Sequence, residues 1–278
     1  MITREATIKD WYKISQFFTK IYRQNHPLQN KEFYEWQYSD EKFGRSFICL
    51  NEQEEVVGHV GANFGGGLAW IINVYLFEEF RGQGVLGKLY DLARQYYPLA
   101  ATAANEAGLG LYKNMRWIRY YDLVRYVKIN PIIKNLNFTN VCKTVKVSIN
   151  DLIVKDTHYF QQPSIKGLVL ADGSRAVSQE EVGGLRIVDI ENVQAMEVHA
   201  WMLGYNWMDY ITSWNDLKTK DLEKSGWVLD FKSVVPWRLN PIEEHYFCDI
   251  TFLLEQPLGK EFIVHRSYSD HGRIGSLK

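Results

Sequence analysis

The sequence predicts an α/β (α+β) protein of two related domains, each a mixed, largely antiparallel sheet flanked by helices. Three observations lead there. Extended segments separated by turns fill residues 46–77, a strand meander rather than a strand–helix alternation. The glycine-rich turn "RGQG" at 81–84 then opens a stretch in which Val85, Leu86, Leu89, Leu92, Ala93 and Tyr96 share one helical face. Finally, a strand, an asparagine and a helix recur 110 residues later, because Asn105 to Trp117 and Asn215 to Trp227 span the same interval.

Taken in order, "MITREAT" reads as a short strand. Trp11, Ile14, Phe18, Ile21 and Tyr22 recur at helical spacing until "NHP" at 25–27 stops them, and "NKEFYEWQYSD" reads as a second short helix. Three strands follow in "SFICLNE", "EVVGHVGANF" and "LAWIINVYLF", with a glycine break at 65–67. The helix after the glycine turn ends at Pro98, "LAATAA" returns as a strand, a helix starts near Asn105, and "RWIRYYDLVRYVKI" supplies a last strand. "NPIIKNLNFTN" reads as a connector, which sets the expected divisions at 1–132, 133–145 and 146–278.

Bulk properties exclude several classes. With 32 basic and 33 acidic residues among 278, the chain is near neutral, so binding to nucleic acid through overall charge is not expected. Cys49, Cys142 and Cys248 lie far apart, cannot all pair and show no metal-ligand spacing, which suits a reduced, cytoplasmic setting without a metal site. The start "MITREATIKD" is too charged for a secretory signal, and "GLAWIINVYLF" is short of the ~20 residues a membrane-spanning helix needs. Nine tryptophans and seventeen tyrosines would suit an aromatic cleft or simply fill the core. The end "HRSYSDHGRIGSLK" reads as a loop that brings Asp270, His271 and Arg273 together, open to a sugar or phosphate contact or to solvation alone.

The segment "FEEFRGQGVLGKLYDLA" fits three phosphate-binding patterns that share one device, glycines that bring backbone N–H groups close to phosphate at the positive end of a helix. A P-loop needs Ser or Thr after its lysine for magnesium, and Leu89 stands there. A dinucleotide fold wants the glycines in a first βαβ unit, whereas three meander strands precede them here. The acyl-CoA pattern R-x-x-G-x-G/A remains, begun by Arg81.

That loop has a companion. "NEAGLGLYKNMRW" at 105–117, with Asn105, Tyr112 and Trp117, together with Arg81, Gly82, Gln83 and Gly84, resembles the GCN5-related N-acetyltransferase (GNAT) family over residues 1 to about 130. Leu86 and Arg116 stand where that family usually has small residues. The resemblance implies acetyl-CoA as donor substrate, a small polar amine as acceptor, and neither metal, nucleic acid nor membrane as partner. Backbone groups of Leu76 and Phe77 would meet the pantetheine arm, and Arg81, Gly82, Gln83, Gly84, Val85, Leu86, Gly87 and Lys88 would hold the pyrophosphate, with Asn105 beside them. Tyr112 would protonate the departing thiolate. Glu78, Glu79 or His59 would take the amine proton; the acids could equally be solvated and the histidine a structural donor. Trp36, Tyr38 and His26 either line the acceptor site or pack helices.

At the 110-residue offset Arg81 corresponds to Glu191, Gly84 to Gln194, Gly87 to Glu197 and Tyr112 to Leu222. A negative charge replaces the cation, so the second copy should be a degenerate GNAT-type domain without CoA. Tandem folds of this kind resemble acyltransferases of surface-glycan sugars, which makes an amino sugar, free or nucleotide-linked, the first acceptor class. Fem-type aminoacyl transfer from tRNA and a non-enzymatic acyl-CoA sensor are the alternatives.

Overall fold

A computed structural model describes residues 1–22, 24, 26–103, 105–132, 166–181, 183–230, 250–259, 262–264 and 268. The elements before the connector form where the periodicity places them. Strand β1 (Ile2–Glu5) leads to helices α1 (Trp11–Ile21) and α2 (Lys31–Tyr38). Strands β2 (Gly44–Leu50), β3 (Val56–Gly65) and β4 (Leu68–Leu76) make the meander. Helix α3 (Val85–Arg94), strand β5 (Leu99–Ala103), helix α4 (Glu106–Asn114) and strand β6 (Ile118–Ile129) follow. Beyond the connector come β7 (Lys166–Val169), β8 (Arg175–Glu181), β9 (Gly184–Ile190), α5 (Val193–Met202), β10 (Trp207–Thr212), α6 (Lys218–Lys224), β11 (Val228–Leu229) and β12 (Ile250–Leu254).

The chain forms two compact units. The first holds 1–121 with 251–260 and 268–270; the second holds 122–250 with 261–267 and 271–278. The first unit therefore takes its last strand from outside its main run of sequence, and the second begins within β6. In the first, Thr251–Leu254 pairs antiparallel with Ala100–Ala103 of β5. In the second, the 124–129 stretch of β6 pairs antiparallel with β10. The expected connector 133–145 lies outside the described residues, as do Cys142, Cys248 and residues 270–278 at the end of the chain.

In the first unit the sheet is antiparallel from β1 through β4, and β4 and β5 run parallel. Both faces are covered because both carry apolar rows. One face packs Ala69 and Ile71 against Val85, Leu89 and Tyr90 of α3 and Tyr112 of α4. The other packs Ile48 and Ile72 against Phe17 and Phe18 of α1 and Phe33, Tyr34 and Tyr38 of α2. Full burial of each such ring contributes roughly 1.5–3 kcal/mol. Helix α2 starts at Asn30, whose side chain accepts from the amides of Glu32 (2.8 Å) and Phe33 (3.4 Å).

The second unit repeats the plan with an antiparallel β7–β8–β9, a parallel β9–β10 and α5 and α6 on one face. The repeat is visible in how its helices end. After α4, Arg116 N–H donates to Lys113 O and Trp117 N–H to Tyr112 O; after α6, Gly226 N–H donates to Glu223 O and Trp227 N–H to Leu222 O. Gly226 has φ 78, which glycine adopts freely, and Arg116 has φ 61, which costs a residue with a Cβ. Arg116→Gly should therefore stabilise the protein by about 1 kcal/mol in urea denaturation.

Candidate active site

The loop that the sequence singles out lies at the end of β4. A one-turn 3-10 helix (Glu78–Phe80) leads into Arg81, and Gly82 and Gly84 take φ 75 and φ 72. Gly84 caps α3 in the left-handed conformation and brings no side chain of its own. The first amides of a helix have no partner within it, so those of Val85, Leu86 and Gly87 stand at an end that nothing from Gly84 covers. Among the described residues, a Cβ placed on Gly82, Gly84 or Gly87 would meet nothing within 4 Å. An open, glycine-floored helix end is what a diphosphate needs, so these residues fit the expected donor substrate. Gln83 Nε2 braces the loop on Glu79 O at 2.9 Å, and Arg81 Nε does so on Leu76 O at 3.2 Å. Lys88 is exposed one turn into the helix.

The equivalent helix of the second unit is closed. Asn192 caps α5 and its side chain accepts from the amides of Gln194 (3.0 Å) and Ala195 (3.2 Å). Beside it Glu191 accepts from Arg175 N (2.7 Å) and Nε (2.8 Å), and this pairing holds its carboxyl below the usual range. An anion there would displace a side-chain cap and meet a carboxylate.

Next to the open loop the sheet divides. β4 and β5 pair only from Ala69–Leu99 to Ile71–Ala101, while β4 continues to Leu76. Of the two residues whose backbone groups were expected there, Phe77 has its N–H engaged, donating to Val57 O of β3 at 3.0 Å. Alternation along the strand then turns the N–H and C=O of Leu76 away from β3, toward the gap.

The candidate acid–base residues separate sharply. Glu78 and Glu79 are exposed, Glu78 paired with Arg81 NH1 at 3.3 Å. Tyr112 is 5 % exposed, its ring 4.6 Å from that of Trp117. Burial, and then the nearby Tyr112, push the neighbouring Tyr90 hydroxyl well up. Asn105 caps α4, its Oδ1 accepting from Gly108 N at 2.7 Å, so that oxygen is spent on the helix.

His59 is corrected outright. It is fully buried, with Nε2 2.8 Å from Ser46 Oγ and Nδ1 2.8 Å from Asn73 O. Both nitrogens are committed, so it cannot receive a substrate proton. Burial pushes the ring down to about 4. The neutral form is the folded form, so its stabilisation is complete above the ordinary histidine value near 6.5 and is lost as pH falls toward 4. That amounts to about 3 kcal/mol over the interval. A His59→Asn variant should lack this loss, read as urea midpoints of both proteins from pH 7.5 to 4.

The acceptor-lining candidates resolve differently. His26 stacks on Tyr22 at 4.0 Å and its Nδ1 accepts from Leu28 N. Trp36 packs on Phe33 at 5.4 Å, which makes both helix packing. Tyr38 Oη accepts from Asn73 Nδ2 at 2.8 Å. The sequence reading passed over Asn73 and Ser46, although an asparagine inside "IINVYL" is a signal, being poor in strands and tolerant of positive φ. It also missed Gln37 and Asn63, which are buried; among the described residues Gln37 Nε2 and Oε1 and Asn63 Oδ1 meet no hydrogen-bond partner.

Among the described residues no three His, Cys, Asp or Glu come together as a metal site, and no helix is long and apolar enough to cross a membrane. No curated protein sequence matches the chain significantly. Two solved structures share the fold along almost all of it. One is a candidate acetyltransferase from Pyrococcus horikoshii, 17% identical, covering 94% of this chain and 91% of its own, with a TM-score of 0.56. The other is a tandem GNAT protein from the clavulanic acid biosynthesis pathway, 9% identical, covering 92% and 99%, with a TM-score of 0.51. At such identities the likeness is one of fold, and it extends over both units. Residues 8–121 match the model of the acetyltransferase (GNAT) family. The matched run, residues 8–121, includes both the open helix end and the divided sheet, and it is similar to the acetyltransferase (GNAT) family.

Proposed function

We propose that the chain moves an acyl group, acetyl by default, from acyl-CoA to the amine of a small polar acceptor, with amino sugars and nucleotide-linked amino sugars as the first class. The observation that carries this reading is the uncapped glycine end of α3 standing beside the β4–β5 gap. Amides from Arg81 to Lys88 hold the diphosphate, and the Leu76 N–H donates to the thioester oxygen as negative charge develops there. The departing thiolate takes its proton from Tyr112, which moves out of its contact with Trp117 enough to reach the gap. With His59 excluded, the amine proton leaves through water to Glu79, the exposed acid that is not paired with Arg81.

Thiol release from acetyl-CoA across amino sugars, polyamines, amino acids and peptides tests the reading. Tyr112→Phe should lower kcat about 100-fold or more with little change in CoA affinity. A sensor would bind CoA and release no thiol with any amine in the wild-type protein. An aminoacyl transferase would bind charged tRNA in place of CoA.

A further inference from the structure

The pairing of β3 with β4 slips at one place. His59 faces Tyr75 and Gly61 faces Ile72, so β4 fits an extra residue into the interval. Asn73 sits in that bulge at φ 51, a left-handed conformation disfavoured for a residue with a Cβ. Such a residue persists only when its surroundings hold it.

The hold is a chain of hydrogen bonds. A carbonyl only accepts, so at 2.8 Å from Asn73 O the proton must lie on His59 Nδ1. Nε2 then accepts from the Ser46 hydroxyl, also at 2.8 Å, and Ser46 is hydrogen-bonded in turn to buried Tyr34. From the other side Asn73 Nδ2 donates to Tyr38 Oη. Phe18 meets the imidazole edge-on at 4.8 Å and Tyr38 at 5.9 Å. Gly61 completes the arrangement, since a Cβ there would lie 2.1 Å from Tyr38 Oη.

The consequence lies downstream. A one-residue slip reverses which amides of a strand point to which neighbour. With the bulge, Phe77 N–H points to Val57 O and Leu76 N–H to the gap; without it the two exchange. We propose that His59 is a positioning residue for acyl transfer: wedged between Ser46 and the Asn73 carbonyl, it fixes the bulge that aims the Leu76 N–H at the acyl donor. The role in transfer rests on the function proposed above; the hold on the bulge does not.

Amide hydrogen exchange of the full chain tests the hold without any substrate. His59→Leu should strip protection from the Phe77 amide, while His59→Asn, whose Nδ2 can replace Nδ1 as donor, should keep it. Protection of Phe77 unchanged in His59→Leu would overturn the proposal. Kinetics test the aim. His59→Leu should lower kcat about 100-fold, the size of losing one oxyanion donor, and leave the acetyl-CoA KM within about threefold because residues 81–88 are untouched. His59→Asn should recover most of the rate, and the pH profile should keep the wild-type shape. Loss of one limb of that profile would make His59 a base, and a proportional fall of kcat and CoA affinity in both variants would make it only structural; either refutes the proposal. A wild-type protein that binds no CoA in calorimetry would refute the proposed function and with it the aim, while the exchange result still decides the hold.

Discussion

Asp209→Ala should destabilise the second unit by about 3–5 kcal/mol, the largest effect expected of a single substitution in this chain. Asp209 on β10 accepts from Arg125 Nε at 3.0 Å and from Arg186 NH1 through the same Oδ2, and Arg125 NH1 reaches Asp230 at 2.8 Å. Arg186, 0 % exposed, also lies 5.4 Å over the ring of Trp207. Burial pulls the Arg125 guanidinium below its ordinary range, with Asp209 opposing the shift. Removing the aspartate leaves two buried cations with too little negative charge. A urea transition followed by near-UV dichroism should show the second unit unfolding earlier. Replacing Arg125, Arg186, Asp209 and Asp230 together by apolar residues of similar volume should cost far less, because the desolvation of the charges vanishes with them. Arg125 lies diagonal to Asp209 across the antiparallel β6–β10 pair, so a one-residue slip of either strand would turn one of the two charges to the opposite face.

Gly84→Val should weaken CoA binding about 100-fold or more while the unliganded fold survives. The residue sits at φ 72, so a β-branched side chain strains the cap, and its Cβ, which meets nothing within 4 Å among the described residues, would stand where the diphosphate must approach. Titration calorimetry with CoA reads the loss directly, and Gly173, another left-handed glycine with open space around it, supplies the control substitution.

Much of this was legible in the residues. Periodicity located every α-helix and strand up to residue 129, though not the short 3-10 turns such as Glu78–Phe80, and the 110-residue offset predicted the matching helix ends at Trp117 and Trp227. The glycines of 81–87 announced an anion site because their chemistry is local. Strand exchange was not legible. "RWIRYYDLVRYVKI" and "ITFLL" have the composition of strands whichever neighbour they take, and pairing over such separations leaves no mark on either segment. Nor was the polar face of the second sheet: Arg125, Arg186 and Asp209 alternate with apolar residues and read as solvent-facing until the fold buries them. His59 shows the same limit from the other side, since a histidine on a strand carries a proton-transfer group in any sequence, and only the bulge at Asn73 reveals that its hydrogen bonds are spent on the backbone.

The central claim is that one end of one helix grips the acyl carrier and its counterpart does not. Calorimetry of the intact chain with CoA, repeated on Gly84→Val and on an Asn192→Gly, Glu191→Gln double variant, measures this most directly. One equivalent per chain, abolished by the first change and untouched by the second, is the predicted result. Two equivalents, or binding that survives at Gly84→Val and disappears in the double variant, would contradict it.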